Sequence, residues 1–434
     1  MEILISVLIL LIALILGVPV PFSFGASVIW LTYSLGYSPD FLLPIGYSKL
    51  GSVVLLAIPL FIMAGGIMEK GKIGGALVDL VNKFVGRIKG SLAFVTIISS
   101  AIFGSISGSA SATLSCIGSI MYPKLREYKY PKGISAAFIA NASPLGLLIP
   151  PSSAQILYAW SGNQSVLACF LSTIIPGIIL TTLLCLVNYF MLKGNKDMET
   201  QREMTKSEWA KDLGVKTKRA VPALFMPFII LGGIYGGFMT PTESAAVAVL
   251  YAIPVGMFIY KGLDVKSLKS TFVETATTTG VVMVMFYVVM MLSRLYVMED
   301  LPGTIMNILT SVSSNKYIIL IMINLFMVII GMLMDDVSGI LLSTPILLPI
   351  VTKLGVSPIQ FAAILGVNLG MGNITPPTAP LLYLGARVGK ARVNEMLKPT
   401  LIMILFAWIP TLLLTTYVPQ ISLFLPRLIL GNNF

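Results

Sequence analysis

The sequence predicts an all-α polytopic membrane protein made of two inverted-topology repeats. Three observations predict this fold class: an apolar composition, an uneven distribution of basic residues, and a repeated pattern of helix breaks. Of the 434 residues, 56% are hydrophobic and 11% are charged, and the mean hydropathy is +0.92. Soluble domains carry about 25% charged residues, so most of this chain lies in a bilayer. The net charge of +11 then indicates cytoplasmic loops rather than a nucleic-acid surface.

Ten apolar runs are long enough to form membrane-spanning helices. They fall at 3–18, 22–38, 51–68, 134–160, 166–192, 220–237, 243–260, 272–296, 358–386 and 399–418. The first run lacks a preceding basic region and a small-residue cleavage site, so we expect a retained helix rather than a signal peptide. Two further apolar stretches, 91–124 and 316–352, have hairpin length and are interrupted in the middle.

The basic residues predict the topology. Five polar segments hold 24 of the 29 Lys and Arg residues, namely 69–90, 124–132, 193–219, 261–269 and 387–398. Such an excess marks the cytoplasmic side, which puts both chain termini in the periplasm. Both ends of 91–124 then face the cytoplasm, and both ends of 316–352 face the periplasm. The sequence therefore predicts two re-entrant hairpins that enter from opposite sides, as inverted repeats produce.

The helix breaks repeat along the chain. PLGLLIPPS (144–152) matches GMGNITPPT (370–378), and each follows its hairpin by a similar interval. Because proline removes a backbone donor, both matched stretches predict broken helices. The predicted organisation is N-terminal scaffold helices at 1–68, a first repeat at 69–192, a cytoplasmic linker at 193–219, further scaffold helices at 220–296, a second repeat at 297–398 and a C-terminal helix and tail at 399–434. Within the repeats, 69–90 and 297–312 are predicted surface arms, and 134–160 and 358–386 are the broken helices.

The hairpin tips and helix breaks predict two cation sites. The first combines the tip FGSISGS (103–109) with the break at 144–152, because small residues and broken helices free carbonyl oxygens for a cation such as Na⁺. Packing of small residues is the alternative interpretation of that tip. The second site combines Gly331, placed at the tip of the outer hairpin, with residues of the second break. Those residues are Gly372, Thr375 and Thr378.

Two acidic residues stand within the second hairpin. Asp335 and Asp336 lie in an apolar setting, where an ionisable side chain is costly and indicates function. We expect at least one of them, Asp335 in particular, to face a substrate cavity. The alternative is a hairpin tip that rests in water. Arg294 is the main basic candidate near the outer face, with a surface anchor as an equal alternative.

Several motifs together resemble the large membrane subunit of tripartite ATP-independent periplasmic (TRAP) transporters. They are FGSISGSASAT, LGLLIPPSS, GGIYGGFMTPTESAAVAVLYA, GMLMDDVSGILLSTPILLPI and NITPPTAP. The resemblance extends over nearly the whole chain. It implies a scaffold plus a mobile transport domain that imports an organic acid by an elevator-type, Na⁺-coupled mechanism.

The resemblance also implies particular site residues. Cation ligands carry over to Ser105, Ser107 and Gly146 in the first half, and to Gly331, Gly372 and Thr375 in the second. Gly108 and Ile149 complete the first candidate set and Thr378 the second. The candidate substrate residues are Asp335, Asp336, Ser109 and Ser153.

The expected partners follow from the same resemblance. They are a small four-helix membrane subunit on a separate chain and a periplasmic binding protein that delivers a C4-dicarboxylate, sialic acid or related carboxylate. The expected location is the bacterial inner membrane, and neither an enzymatic activity nor a nucleic-acid partner is expected.

Two alternatives differ in class from this prediction. A stand-alone Na⁺/carboxylate symporter has similar hairpins, but with Ser-Asn-Thr triplets where this chain has GSISGS and MLMDD. An intramembrane aspartyl protease needs two Asp residues on separate facing helices, whereas Asp335 and Asp336 are adjacent and no GxGD motif is present. The sequence therefore favours a transporter.

Overall fold

The structure is a computed structural model that describes residues 2–85, 90–194, 198–199 and 205–431, and these residues form helices and loops without a strand. The helices of the first half are α1 (Glu2–Ile15), α2 (Val20–Ser34), α3 (Pro39–Leu50), α4 (Ala57–Lys70), α5 (Ile73–Val85), α6 (Ser91–Ser107), α7 (Ala110–Glu127), α8 (Lys132–Ala142), α9 (Leu145–Leu148), α10 (Ser153–Ser161) and α11 (Val166–Leu192). Those of the second half are α12 (Lys206–Tyr235), α13 (Pro241–Pro254), α14 (Val265–Met298), α15 (Leu301–Val312), α16 (Lys316–Leu333), α17 (Asp336–Lys353), α18 (Pro358–Gly372), α19 (Pro380–Val388), α20 (Val393–Met403), α21 (Ile409–Tyr417) and α22 (Pro419–Leu430).

The chain is a multi-pass membrane protein. Eight helices of the described residues are long and apolar enough to cross a bilayer, and a ninth span results if α8–α9 and α10, bent by 44°, count as one. A π-helical turn at Ile404–Trp408 joins α20 to α21, so the run predicted at 399–418 belongs to one longer helical segment. The predicted fold class is thus confirmed at the level of an all-helical membrane protein.

The order of elements is the same in both halves. An arm helix (α5 or α15) precedes a hairpin (α6–α7 or α16–α17), and a broken helix (α8–α10 or α18–α19) follows. The two Pro-Pro peptide bonds of the broken helices, Pro150–Pro151 and Pro376–Pro377, are both cis. Helix α18 lies at the centre of the molecule, because every residue from Ile359 to Gly372 is buried.

Two helices and one boundary differ from the prediction. Helices α3 and α22 were not predicted. Each begins at a proline, which is a helix-start signal, but the prediction used hydropathy, and hydropathy does not detect that signal. The linker at 193–219, which we expected to be partly helical, is helical from Lys206 onward. The same helix continues into the span predicted to begin at 220, so this boundary is the one that differs. Thr205 and Glu208 form a capping box that fixes this start. Residues 195–197 and 200–204 of that linker lie outside the described residues.

Candidate functional site

A cavity of about 450 Å³ lies between the two hairpin tips and helices α4 and α14. Its wall includes five of the predicted site residues: Ser107, Ser109, Ser153, Asp335 and Asp336. Among the described residues, the other predicted candidates do not reach this wall, namely Ser105, Gly108, Gly146, Ile149, Gly331, Gly372, Thr375 and Thr378. Arg294 is exposed on α14 and does not line the cavity either.

The first hairpin turns at Gly108. This residue has φ of 61°, a left-handed conformation that glycine adopts without a steric penalty. Ser109 then caps α7, and its side chain accepts a hydrogen bond from the backbone N–H of Ala112. The hairpin tip is therefore tight enough to bring the ends of both helices to the cavity.

Ser107 and Gly146 come together at the first predicted cation site. The Ser107 hydroxyl lies 3.1 Å from the hydroxyl of Thr113, which donates to the Ser109 carbonyl at 2.8 Å. A methyl group built on Gly146 would lie 3.0 Å from both the Thr113 hydroxyl and the Ser109 carbonyl oxygen. Hydroxyl and carbonyl oxygens thus converge around Gly146, and Thr113 is a member of this cluster that the sequence analysis missed.

The three other residues of the first predicted site differ in the hydrogen bonds that their oxygens accept or donate. The Gly108 carbonyl accepts from the backbone N–H and the hydroxyl of Ser153, at 3.2 Å and 2.8 Å, so it joins the hairpin to α10. The Ser105 hydroxyl donates a hydrogen bond to the Ile102 carbonyl of its own helix, at 2.7 Å. Ile149 follows α9 in an extended conformation, and its carbonyl accepts no hydrogen bond from the described part of the chain.

The second predicted site is built around Gly331 and Gly372. A methyl group on Gly372 would lie 2.6 Å from the Gly331 Cα, so the two backbones are in direct contact. Gly331 belongs to the last turn of α16, whereas we predicted it at the tip, which is formed instead by Met334 and Asp335. When the Asn373 amide is oriented to satisfy its neighbours, it donates to the carbonyls of Gly331 and Met334, each at 3.1 Å.

The two threonines of the second break differ in environment. The Thr375 hydroxyl donates to the Met371 carbonyl at 2.6 Å, and its backbone N–H donates to the Gly372 carbonyl at 2.9 Å. Thr378 is exposed. The structure therefore gathers Gly331, Gly372 and Thr375 and leaves Thr378 exposed.

The acidic pair occupies the first residues of α17. Asp335 is the N-cap, and its carboxylate accepts hydrogen bonds from the backbone N–H of Ser338, at 3.4 Å, and from the Ser338 hydroxyl. Asp336 lies in the first turn of the same helix. Both residues line the cavity, so the cap and the cavity wall share one segment.

The donor atoms at the two predicted cation sites are neutral hydroxyl, amide and carbonyl oxygens. Within the described residues, no group of three His, Cys, Asp or Glu side chains could hold a transition metal. Neutral oxygen ligands near broken helices suit an alkali cation, and hard cations in general prefer oxygen. The donor set therefore fits an alkali cation such as Na⁺.

The sequence profile of "Tripartite ATP-independent periplasmic transporter, DctM component" matches residues 7–421. The chain belongs to this family. DctM-family relatives are transport permeases, and the predicted absence of an enzymatic activity agrees with that class.

Three curated relatives show how this DctM-family chain compares with named permeases. The isethionate TRAP transporter permease protein DctMQ of Oleidesulfovibrio alaskensis is 35% identical, over 95% of this chain and 64% of that protein. The C4-dicarboxylate TRAP transporter large permease protein DctM of Pseudomonas aeruginosa is 32% identical over 86% of each chain. The sialic acid TRAP transporter large permease protein SiaM of Vibrio cholerae is 32% identical over 96% of each chain.

A solved structure shares the fold of this DctM-family chain. The YdaH transporter of Alcanivorax borkumensis superimposes with a TM-score of 0.62 at 14% identity, over 88% of each chain. At this identity the similarity concerns the fold alone.

The sequence analysis missed one entire wall of the DctM-family cavity. Helices α4 and α14 contribute Glu69, Glu274 and a series of threonines, namely Thr271, Thr275 and Thr278. These threonines recur at the spacing of one helical face, and this spacing is the signal that could have identified them. Lys70 is paired with Glu274, at 2.7 Å from both carboxylate oxygens.

A second cavity of about 600 Å³ lies between α2, α3 and α14. Its lining is mainly apolar and includes Val28, Leu42 and Met291. A site for an ionised cargo needs convergent polar groups, which this cavity lacks. The cavity at the hairpin tips contains five predicted site residues and is the candidate functional site.

Proposed function

We propose that this DctM-family chain is the large permease subunit of a Na⁺-coupled importer of an organic acid. The observation that carries the proposal is the position of the polar cavity, which has the hairpin tips and the second break on one side and α4 and α14 on the other. Both predicted cation clusters lie beside this cavity, so ion binding and cargo binding involve the same hairpin tips. Such proximity favours coupled binding of the two solutes.

The same arrangement supports an elevator mechanism. The hairpins and broken helices pack against one another, with α18 buried among them, and they form the mobile transport domain. Helix α4 contacts both α13 and α14, and these three helices belong to the fixed scaffold. Because the cavity lies at the boundary between these two groups of helices, sliding of one group along the other would expose the cargo to opposite sides of the membrane.

The proposal includes the predicted topology and partners. The hairpins are re-entrant from opposite sides, and both termini lie in the periplasm. A small four-helix membrane subunit and a periplasmic binding protein complete the transporter, in agreement with the tripartite description of the family. The cargo class is that of the named relatives, which include permeases for C4-dicarboxylate, sialic acid and isethionate.

The test is uptake by proteoliposomes that contain both membrane subunits, with the binding protein loaded with its co-purified ligand. We expect uptake to require an inward Na⁺ gradient and the binding protein, and Asp335→Ala to impair it strongly. Efficient uptake of free ligand without the binding protein would instead favour the stand-alone symporter. Uptake at the same rate with and without a Na⁺ gradient would refute the proposed ion coupling.

A further inference from the structure

A third cavity, which we call the outer cavity, lies between the proposed scaffold and the proposed transport domain. Its volume is about 710 Å³. One wall comes from the end of α3 and the short turn before α4, with Lys49, Ser52 and Val54. The other wall comes from the end of α10 and the loop to α11, within residues 159–166, and Met290 of α14 completes the lining. The outer cavity therefore shares its boundary position with the cavity at the hairpin tips.

The outer cavity and the cavity at the hairpin tips follow one another along the scaffold. On α14, Val282 lines the cavity at the tips and Met290 lines the outer cavity, about 12 Å further along the helix. Ile58 of α4 and Val54 before it repeat this order. In the proposed topology the segment 261–269 before α14 is cytoplasmic, so the outer cavity lies toward the periplasm.

An aromatic contact lies between the two cavities. Trp160 of α10 packs edge-on against Phe286 of α14, with the ring centroids 5.5 Å apart and the planes at 90°. Phe286 is fully buried and stands one turn from both Val282 and Met290, whereas Trp160 lines the outer cavity. The contact closes the direct path along α14. Passage between the cavities therefore needs α10 to move relative to α14, as sliding of the transport domain would allow.

The polar groups of the outer cavity suit an anion. Lys49 is the basic residue among the described lining residues, which include no Asp or Glu, and it forms no salt bridge within the described chain. The Trp160 indole N–H is a donor only, and the Ser52 hydroxyl forms no capping hydrogen bond. Carboxylate and sulfonate oxygens accept hydrogen bonds from an ammonium group and from such donors.

We propose that the outer cavity is an entry site, at which the acid group of the cargo pairs with Lys49 before the cargo reaches the hairpin tips. This inference rests on the proposed function and topology and adds a second binding site to them. The occupant is a small organic anion, because the cavity is lined by one cation and several neutral donors. Docking of a loop of the binding protein is the competing outcome of the test.

Two isosteric cysteines test the occupancy of the outer cavity. Ser52→Cys and Ser161→Cys stand on its two walls, each in a chain whose native cysteines are replaced by alanine. The measurement is the rate of reaction with a membrane-impermeant maleimide, added from the periplasmic side to cells that express both membrane subunits. The probes are succinate and succinamide, which share a carbon skeleton and differ in charge. We expect succinate to slow the labelling of both cysteines several-fold and succinamide to leave it unchanged.

Variants of Lys49 assign the protection to its charge. Lys49→Gln should abolish the protection by succinate, whereas Lys49→Arg should retain it, because arginine keeps the positive charge. Equal labelling of Ser161→Cys in the Lys49→Gln chain and its parent, without succinate, shows that the variant is folded. Ser38→Cys is the matched control, since Ser38 is exposed at the start of α3 and lies outside the outer cavity. Its labelling rate should not respond to succinate.

Several outcomes overturn the inference. They are the absence of labelling from the periplasmic side, the absence of protection by succinate, equal protection by succinamide, and protection that survives Lys49→Gln. Protection by the ligand-free binding protein but not by succinate would assign the outer cavity to protein docking and would also overturn the inference.

The outcome is separable from that of the proposed function. Na⁺-dependent uptake without protection of the two cysteines would refute the entry site and leave the transporter intact. Protection that depends on Lys49, without Na⁺-dependent uptake of the ligand that co-purifies with the binding protein, would refute the proposed function instead.

Discussion

Glycine contacts hold each hairpin against its broken helix. A methyl group on Gly104 would lie 2.7 Å from the Gly146 Cα, and one on Gly372 would lie 2.6 Å from the Gly331 Cα. Two backbones at this distance cannot accommodate a Cβ, and backbone atoms cannot move aside as a flexible side chain does. The oxygen clusters around Gly146 and Gly331 therefore depend on residues that have no side chain.

We predict that Gly104→Ala destabilises the protein by about 1–3 kcal/mol, because it overpacks a rigid contact. Thermal unfolding in detergent measures this effect. Gly232→Ala is the matched control, since a methyl group on Gly232 meets no atom within 4 Å and alanine favours the helix. An equal change in melting temperature for both variants would contradict the backbone contact.

We predict that Ser107→Ala and Thr375→Ala each raise the Na⁺ concentration for half-maximal uptake several-fold, because each removes a candidate oxygen ligand. The measurement is the Na⁺ dependence of uptake in the reconstituted transporter. Thr277→Ala is the control, because the exposed Thr277 hydroxyl bonds only to the Val273 carbonyl of its own helix, at 2.9 Å. If both site variants keep the wild-type Na⁺ dependence, the cation assignments are wrong.

At the scale of elements, an ion-pair cluster joins the arm helix α5 to the first hairpin and to α12. Asp79 of α5 lies 3.0 Å from Lys124 at the end of α7 and 3.3 Å from Lys216 of α12. Burial raises the pKa of Asp79, but the two lysines outweigh it, so the pKa lies below its ordinary value. The cluster therefore stabilises the packing of α5, α7 and α12 while Asp79 is ionised.

We predict that Asp79→Asn lowers stability at pH 7 by up to about 1 kcal/mol, and that the difference from the wild type vanishes in acid. The folded pKa is depressed, so the stabilisation is complete above the unfolded pKa of about 3.9. It is lost as the pH falls through the folded pKa. Melting temperatures at pH 7 and pH 3 measure this.

The exposed pair Lys129–Glu199 supplies the control for the Asp79 cluster. Glu199→Gln should change the melting temperature little at either pH, because exposed ion pairs contribute little. A difference between Asp79→Asn and the wild type that is as large at pH 3 as at pH 7 would exclude charge as its cause.

At the scale of the whole molecule, the repeated order of arm, hairpin and broken helix brings both hairpin tips to one cavity. Helices α16 and α17 have 18 residues each, which is close to the length needed to span a bilayer. Length alone does not decide whether α16 and α17 cross or turn back. The positions of their outer ends relative to the membrane decide it.

We predict that Lys316→Cys and Lys353→Cys react with a membrane-impermeant maleimide from the periplasmic side, and that Glu127→Cys reacts only after permeabilisation. All three positions are exposed or at a helix end, and the native cysteines are replaced by alanine. The unsubstituted cysteine-free chain is the control for background labelling. Labelling of positions 316 and 353 from opposite sides would exclude a re-entrant hairpin.

The sequence by itself determined the all-helical membrane class, the broken helices and the motifs that resemble TRAP permeases. Composition, hydropathy and proline position act locally, so they can be read along the chain. The sequence also identified Asp335 and Asp336 as candidate site residues, because acidic residues are rare in an apolar stretch.

The tertiary structure alone decided which oxygens meet. Asn373, Glu69 and Thr275 belong to the site through the packing of helices distant in sequence, and Thr113 meets the distant Gly146 there. No local pattern encodes those contacts. It also showed that Gly108 and Ser105 use their oxygens for hydrogen bonds within the hairpin and to α10. Only packing in three dimensions determines which polar atoms are already satisfied and which can still bind a ligand.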